Sequence, residues 1–101
     1  MAVRDSLAEK LRSALPELRR RYGLRRVQMY GSVARGDARP DSDVDLLVEF
    51  DHVPTLFSIG RLQVDLEALL GRHVDIATPG GMHPRVLAAA RADAIEIAGG
   101  G

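Results

Sequence analysis

Cysteine is absent from the 101 residues of this sequence. Disulfide bonds, cysteine nucleophiles and metal sites built from thiolates are therefore excluded. A metal ion could be held only by oxygen atoms or by imidazole nitrogens. This limitation favours Mg²⁺ over Zn²⁺ as the metal that the chain could bind.

Long apolar runs are also absent. No stretch approaches the roughly 18 to 20 residues needed to span a bilayer, and the N-terminal segment MAVRDSLAEKLRS lacks the apolar core of a signal peptide. We therefore expect a cytoplasmic protein with no membrane contact. The length and the 46% hydrophobic content predict a single globular domain over residues 1–98, followed by a flexible glycine tail over residues 99–101.

An excess of charge of either sign is missing, because fourteen basic residues balance fourteen acidic ones. The net charge therefore predicts no direct binding to nucleic acid. Arginine is nevertheless concentrated in the segment RRRYGLRR, residues 19–26. This segment is either a solvated helix end or a patch that meets phosphates or an acidic protein surface, and complementarity to the helix dipole favours the first interpretation.

Hydrophobic periodicity predicts helices that are separated by short strands. Apolar side chains recur at helical spacing over the first twenty or so residues, where Pro16 predicts a break and a second short helix that Gly23 ends. This order of elements predicts a small α/β or α+β domain, with a mixed β-sheet and helices packed on one face. The remaining predicted elements are strands at residues 25–30, 43–50, 72–77 and 94–98 and helices at residues 56–70 and 85–92.

The predicted strand at residues 43–50 has two different faces. Apolar residues occupy every second position from Val44 to Phe50, whereas Asp43, Asp45 and Leu47 share the other face. Carboxylates at positions i and i+2 project from one face of a strand roughly 6 to 7 Å apart, which suits a pair of hard cations. Because they also repel each other, at least one of them should have a raised pKa until cations bind.

A glycine and a serine precede this strand. Gly31 and Ser32 follow another predicted strand and open a short helical turn, where backbone N–H groups and a hydroxyl can approach a triphosphate. Asp75 lies on a third strand, on the side away from the core, and could complete a triad with Asp43 and Asp45. That role requires the two strands that carry these carboxylates to be neighbours in the sheet.

The sequence Gly31-Ser32, ten intervening residues and Asp43-Val44-Asp45 resembles the hallmark of the nucleotidyltransferase superfamily related to DNA polymerase β. Within this superfamily the chain is similar to the minimal nucleotidyltransferases, which are often the antitoxin partners of HEPN-domain toxins. The similarity covers nearly the whole chain and extends to LGRHVDIATP, where Asp75 matches the third carboxylate of the family. It implies the polymerase β-like nucleotidyltransferase fold and a complete catalytic site.

The resemblance also implies a reaction, namely the Mg²⁺-dependent transfer of AMP from ATP to a hydroxyl with release of pyrophosphate. Asp43, Asp45 and Asp75 would be the catalytic residues and would hold two Mg²⁺ ions, while Gly31 and Ser32 would bind the β and γ phosphates. In the antitoxins of this family the acceptor is a tyrosine of the HEPN toxin. A HEPN-domain protein and ATP are therefore the expected partners.

Two further residues are weaker candidates for nucleotide binding. Ser42 could contact a phosphate, or it could cap the turn before the strand. Arg35 could face the triphosphate, or it could support the loop through its five N–H donors. For Arg35 we favour the supporting role.

Two other functions fit the same residues. The chain could be a non-catalytic module that neutralises a toxin by occlusion, in which case Asp45→Asn would still protect cells from the toxin. It could also be an adenylyltransferase that modifies an antibiotic or another small molecule, in which case it would turn over its acceptor without a protein partner.

Overall fold

The computed structural model describes residues 2–37, 39 and 41–98. The helices are α1 (Val3–Tyr22), α2 (Gly31–Arg35), α3 (Leu56–Leu70) and α4 (Pro84–Asp93), and the strands are β1 (Leu24–Tyr30), β2 (Val44–Phe50), β3 (Val74–Ala77) and β4 (Ile95–Ala98). A 3₁₀ turn at Pro79–Gly81 follows β3. The glycine tail predicted over residues 99–101 lies outside the described residues, so the domain boundary at residue 98 stays a prediction.

α1 is one continuous helix, and the predicted break at Pro16 is wrong. A proline inside a helix removes one N–H donor and costs about 3 kcal/mol relative to alanine. Side chains on both sides of the proline oppose this cost, because Leu11 and Leu18 are buried in the core and each such burial contributes roughly 1.5 to 3 kcal/mol. Gly23 ends the helix as predicted, with a φ of 68° and its N–H donating to the carbonyl of Arg19.

The four strands in the described residues form a mixed sheet in the order β3-β2-β1-β4. β1 pairs antiparallel with β2 and with β4, whereas β2 and β3 are parallel. α3 connects the two parallel strands, which need such a crossover because a tight turn cannot join them. The predicted mixed sheet is confirmed, and the strands that carry the predicted carboxylates are neighbours.

One hydrophobic core lies between the sheet and the helices α1 and α3. The sheet contributes the apolar face of β2, where Val44, Leu46 and Val48 are each at most 1% exposed. α3 contributes Leu62 and Leu66 from its inner side. These two helices therefore pack on the face of the sheet that the sequence alternation predicts.

α3 begins and ends at residues that the sequence marks clearly. The Thr55 hydroxyl accepts a hydrogen bond from the N–H of Ser58 at 3.0 Å, which caps the first turn. Gly71 ends the helix in the left-handed conformation, with a φ of 68°. Neither α3 nor another helix in the described ranges is long and apolar enough to cross a membrane.

The opposite face of the sheet is partly covered, which the alternation does not predict. Leu47 shares this face with Asp45, yet Leu47 is only 1% exposed. Glu49 also lies on this face, and its carboxylate accepts hydrogen bonds from Arg25 at 2.8 Å and from Arg91 at 3.4 Å. Arg91 belongs to α4, so α4 contacts this second face. Asp45 therefore borders a covered surface instead of lying on a bare one.

Candidate active site

Three strands bring polar side chains to one end of the sheet. Tyr30 is the last residue of β1 and lies opposite Asp45 of β2, and Asp45 in turn lies opposite Asp75 of β3. Cross-strand partners point to the same face, so these three side chains form a row on the face away from the core. Asp43 immediately precedes β2 and is exposed beside this row. The fold thus gathers the three predicted carboxylates at one end of the sheet.

Asp43, His73 and Asp75 form a group of potential metal ligands. One potential metal ligand atom from each of the three residues lies within 4.8 Å of the others. Asp45 is not part of this group, although the sequence places it at the centre of the site. Burial is the main cause that raises the pKa of Asp45, and the charges of Asp75 and Asp43 raise it further, while Arg35 lowers it. The site therefore carries an excess of negative charge that a cation would relieve.

The turn that leads from β1 into α2 requires glycine at position 31. Gly31 has a φ of +77°, in the region that side chains rarely adopt, and a Cβ atom there would collide with the carboxylate of Asp45. Gly31 and Ser32 open a helical turn after a strand, as the sequence predicts. No side chain caps α2, so its first N–H groups lie uncapped beside the carboxylates.

His73 is held by Glu67 of α3, a residue that the sequence analysis missed. His73 Nδ1 lies 2.8 Å from Glu67 Oε2, and His73 Nε2 lies 3.2 Å from Asp75 Oδ1. Glu67 also accepts hydrogen bonds from the N–H of Val74 at 3.0 Å and from the amide of Gln63 at 3.3 Å. These contacts link α3 through His73 to the Asp75 carboxylate.

The neighbours of Glu67 and His73 shift the pKa of both side chains. The N–H of Val74 is the main cause that lowers the pKa of Glu67, followed by the amide of Gln63 and the charge of His73. Partial burial lowers the pKa of His73, but the surrounding carboxylates outweigh it and raise that pKa overall. Gln63 and Glu67 are two of the polar residues in this leucine-rich helix, and they are spaced i,i+4. This spacing is the sequence signal that could have indicated that Glu67 contacts a neighbouring element.

Arg35 and Ser42 both make structural contacts. Arg35 Nε lies 3.3 Å from Asp37 Oδ2 and its Nη1 lies 3.5 Å from Asp93 Oδ2, so the side chain ties α2 to α4. The Ser42 hydroxyl accepts a hydrogen bond from the N–H of Arg39 at 2.8 Å, which closes the turn before β2. These contacts fit the loop-supporting and turn-capping alternatives. A role for either residue in nucleotide binding stays a prediction.

A hollow of about 230 Å³ lies beside Gly31. Tyr30 and Arg35 line one side of it, and Val86 and Ala89 of α4 line the other. A ligand bound at the Gly31 turn therefore has room to extend between the sheet and α4.

The donor set of the site fits a hard divalent cation with a phosphate ligand. Clustered carboxylate oxygens are the ligands that Mg²⁺ prefers. Burial raises the pKa of Asp45 most, and the charges of Asp75 and Asp43, which such an ion would neutralise, raise it further. The uncapped N–H groups at Ser32 are suited to phosphate oxygens. The arrangement can bind a metal-bound polyphosphate at the end of the sheet.

Comparison with known proteins agrees with the chemistry of this site. The sequence profile described as "Nucleotidyltransferase domain" matches residues 11–97 of the chain. Protein adenylyltransferase MntA of Thermococcus cleftensis is 42% identical over 76 residues, which cover 75% of this chain and 77% of that protein.

Two solved structures have a similar fold. A candidate minimal nucleotidyltransferase is 44% identical and superposes with a TM-score of 0.76, covering 94% of this chain and 95% of that chain. A toxin–antitoxin structure with AMP-PNP contains a chain that is 18% identical, with a TM-score of 0.73 and coverage of 87% of this chain and 73% of that chain. At such low identity the second structure shows the fold alone. Together they confirm the fold class predicted from the motif.

Proposed function

The chain belongs to the nucleotidyltransferase domain family and is a nucleotidyltransferase, and on that premise we propose that it transfers AMP from ATP to a tyrosine hydroxyl of a partner protein. The partner would be a HEPN-domain toxin, so the chain would act as its antitoxin. One observation carries this proposal, namely the Gly31 turn that lies directly against Asp45, in the same row as Asp75.

Five of the predicted site residues have a place in this proposal. Asp43, Asp45 and Asp75 would hold two Mg²⁺ ions. When bound, these ions supply positive charge that stabilises the reacting phosphates and the departing pyrophosphate. The backbone at Gly31 and the N–H and hydroxyl of Ser32 would hold the β and γ phosphates, because no side chain stands between this turn and the carboxylates.

The chemical step exchanges one bond to phosphorus for another. The tyrosine oxygen forms a bond to the α-phosphorus while the bond from that phosphorus to the bridging oxygen breaks, and pyrophosphate leaves. The proton of the tyrosine hydroxyl passes to a carboxylate oxygen of Asp75. His73, itself held by Glu67, fixes the orientation of Asp75 during this transfer.

Two observations support a protein as the acceptor, namely the exposure of Asp75 and the similarity of the chain to a protein adenylyltransferase. The Asp75 side chain is 53% exposed, so a bulky acceptor can reach it without any opening of the structure. The Thermococcus relative is a protein adenylyltransferase, and the neighbour with AMP-PNP is a toxin–antitoxin complex. The resemblance of the motif to the family further implies that the partner is a HEPN-domain protein and that the acceptor is a tyrosine.

The test is intact mass spectrometry of a HEPN-domain protein from the same organism, coexpressed with this chain. Three forms are compared: the wild type, Asp45→Asn, and the control Asp5→Asn. Asp5 is an exposed carboxylate on α1, so its change matches the chemistry of the first variant outside the site. We expect the partner to gain the mass of AMP less one water with the wild type and the control only, and peptide fragmentation to place the added group on a tyrosine.

Other outcomes separate the alternatives. A partner that forms a stable complex but stays unmodified with all three forms would overturn AMP transfer and leave occlusion as the mechanism. Turnover of an aminoglycoside or another hydroxyl compound by the isolated chain, with no modified partner, would instead identify a small-molecule adenylyltransferase.

A further inference from the structure

The outer side of α3 is apolar although it faces solvent. Its exposed positions are Leu56, Phe57, Gly60, Arg61, Val64 and Ala68, so one arginine is the only charged residue among them. Leu56 is 89% exposed, Phe57 75% and Val64 66%. A surface helix normally presents polar residues opposite its buried stripe. α3 is instead apolar on both sides, over an exposed length of about 20 Å.

Gly60 lies in the middle of this outer side, and no contact within the chain requires glycine at this position. It has no positive φ, and a Cβ atom there would meet nothing within 4 Å. Glycine in a helix interior costs about 1 kcal/mol relative to alanine, and here neither packing nor backbone conformation requires it. A notch between Phe57 and Val64 does allow a second helix to approach closely.

Positive charge borders the apolar surface. A hollow of about 340 Å³ lies between α1 and α3, where Arg21 and Arg61 stand beside Phe57. The Arg61 guanidinium lies 5.8 Å from the centre of the Phe57 ring, and it pairs with no carboxylate in the part of the chain that the structure describes. Arg21 lies 3.4 Å from Asp65. An acidic side chain entering the hollow would complement Arg61.

The charge of Arg61 also argues against a second copy of this chain as the molecule that covers the outer side of α3. Arg61 lies near the middle of the exposed stretch, so a two-fold pairing of α3 with α3 would bring one Arg61 against the other. Like charges in a closing interface cost free energy, whereas an acidic residue from a different protein would pair with Arg61. The exposed apolar side and its one charge therefore favour a foreign helix.

We propose that the outer side of α3 docks an amphipathic helix of the partner protein, with an acidic residue of that helix opposite Arg61. This inference rests on the proposed function, because the partner is the protein that receives AMP. Phe57 and Arg61 lie in the first half of α3, which begins near the end of β2 that is distant from Asp45. A strand of seven residues is about 20 Å long, so docking there leaves the active site free for a tyrosine from another part of the partner.

The test uses two variants of the docking side, Phe57→Ser and Arg61→Glu, with Lys10→Glu as the control. All three positions are exposed, so the variants should fold, and circular dichroism and thermal unfolding check this. Binding to the coexpressed HEPN-domain protein is measured by titration calorimetry with each purified form. We expect each docking variant to bind roughly tenfold more weakly or worse, and Lys10→Glu to bind like the wild type.

Two companion measurements separate this inference from the proposed function. The thermal shift on adding Mg²⁺ and ATP should be the same in all forms, because the substituted positions are remote from the carboxylates. If the wild type binds the partner without modifying it and the docking variants lose that binding, AMP transfer fails while the docking site stands. Docking variants that bind and modify the partner like the wild type would overturn the docking site alone.

The oligomeric state gives the remaining outcome. A wild-type chain that is dimeric in solution, and that Phe57→Ser converts to a monomer without weakening partner binding, would show that a second copy occupies this side of α3. That result would also overturn the proposed partner helix. A substitution scan of acidic residues in the partner, in which one acid-to-lysine change restores binding to Arg61→Glu, would identify the opposing residue.

Discussion

At the scale of single residues, Gly31 combines a conformational and a steric requirement. Its left-handed φ disfavours any side chain, and a methyl group would meet the carboxylate of Asp45. Gly36 offers a matched control, because it has a similar φ of +82° but open space around its Cβ position. Gly31 begins α2 and Gly36 follows its last residue, so alanine at the two positions separates the effect of backbone strain from that of the contact with Asp45.

We expect Gly31→Ala to remove most AMP transfer, because the added methyl displaces Asp45 from the row of carboxylates. Gly36→Ala should lower the free energy of unfolding by about 1 kcal/mol through backbone strain while keeping most activity. Transfer rates and urea denaturation of both variants check this. Equal activity of the two variants would show that contact with Asp45 is not what position 31 requires.

The raised pKa of Asp45 predicts how stability depends on pH. The native state keeps this proton to a higher pH than the unfolded chain does, so stability falls as the pH rises from the ordinary carboxyl pKa through the raised one. Above that window, in a metal chelator, we expect Asp45→Asn to melt at a higher temperature than the wild type. The gain should shrink as the pH falls through the raised pKa and vanish only below the ordinary carboxyl pKa, where both states bind the proton.

Adding Mg²⁺ should reverse this order, because a ligand that binds the native state stabilises it. Thermal unfolding at several pH values, with and without Mg²⁺, provides the measurement. A variant that is less stable than the wild type in chelator at neutral pH would contradict the assigned cause, namely burial together with the repulsion from Asp75 and Asp43.

The residues of the site differ in how far sequence can reveal them. Gly31 and Asp45 are predictable because their spacing is visible in one dimension, and Asp75 because it lies on the non-core face of a strand and matches the third carboxylate of the family. Glu67 was missed because its role depends on α3 crossing beside β3, so that its carboxylate meets the N–H of Val74. The burial of Leu47 was missed for a related reason, since alternation tells which face a residue shares but not what covers that face.

At the scale of elements, Pro16 makes α1 the clearest conflict between local preference and packing. The helix continues through the proline although the carbonyl of Arg12 loses its N–H partner there. We expect Pro16→Ala to raise the free energy of unfolding by roughly 1 to 2 kcal/mol, somewhat less than the full proline cost because alanine also loosens the unfolded chain. Pro54, which lies outside any helix, provides the control.

Urea denaturation of both alanine variants is the appropriate measurement. Pro54→Ala should leave stability unchanged or lower it by less than about 1 kcal/mol, because only the unfolded state gains freedom there. A loss of stability in Pro16→Ala comparable to that in Pro54→Ala would mean that the proline is accommodated without cost.

Most elements were predictable because their sequence signals agree with their packing. α3 combines a leucine stripe with a glycine stop, and β2 combines an apolar residue at every second position with β-branched valines. α1 departs from its prediction because the burial of Leu11 and Leu18, on either side of Pro16, outweighs the local preference of proline. The order of the strands was not predictable from periodicity, which specifies faces and lengths but not neighbours.

At the scale of the whole molecule, the arginine-rich segment 19–26 is largely neutralised by its own fold. Arg20 lies 2.6 Å from Glu17, and Arg25 lies 2.8 Å from Glu49. Arg26 pairs with both Glu49 and Glu96. These contacts support the interpretation of the segment as a structural feature, in a chain whose formal net charge is zero.

We therefore expect no measurable binding of a short single-stranded DNA or RNA near physiological salt. Fluorescence anisotropy with a labelled oligonucleotide, repeated at low salt, is the check. Affinity that weakens steeply with added salt would reveal several phosphate contacts and would contradict the neutralised patch.

The position of β4 in the sheet has a consequence for synthesis. β4 is the last of the four strands to leave the ribosome, yet it pairs with β1, the first. Until then one edge of β1 has no partner strand, and the core lacks Ile95 and Ile97. A nascent chain at this stage exposes a strand edge beside apolar side chains, which is the situation that recruits chaperones or leads to aggregation. A pause in translation after β1 has left the ribosome and before β4 has done so should therefore lower the yield of this protein more than a pause before β1 has emerged.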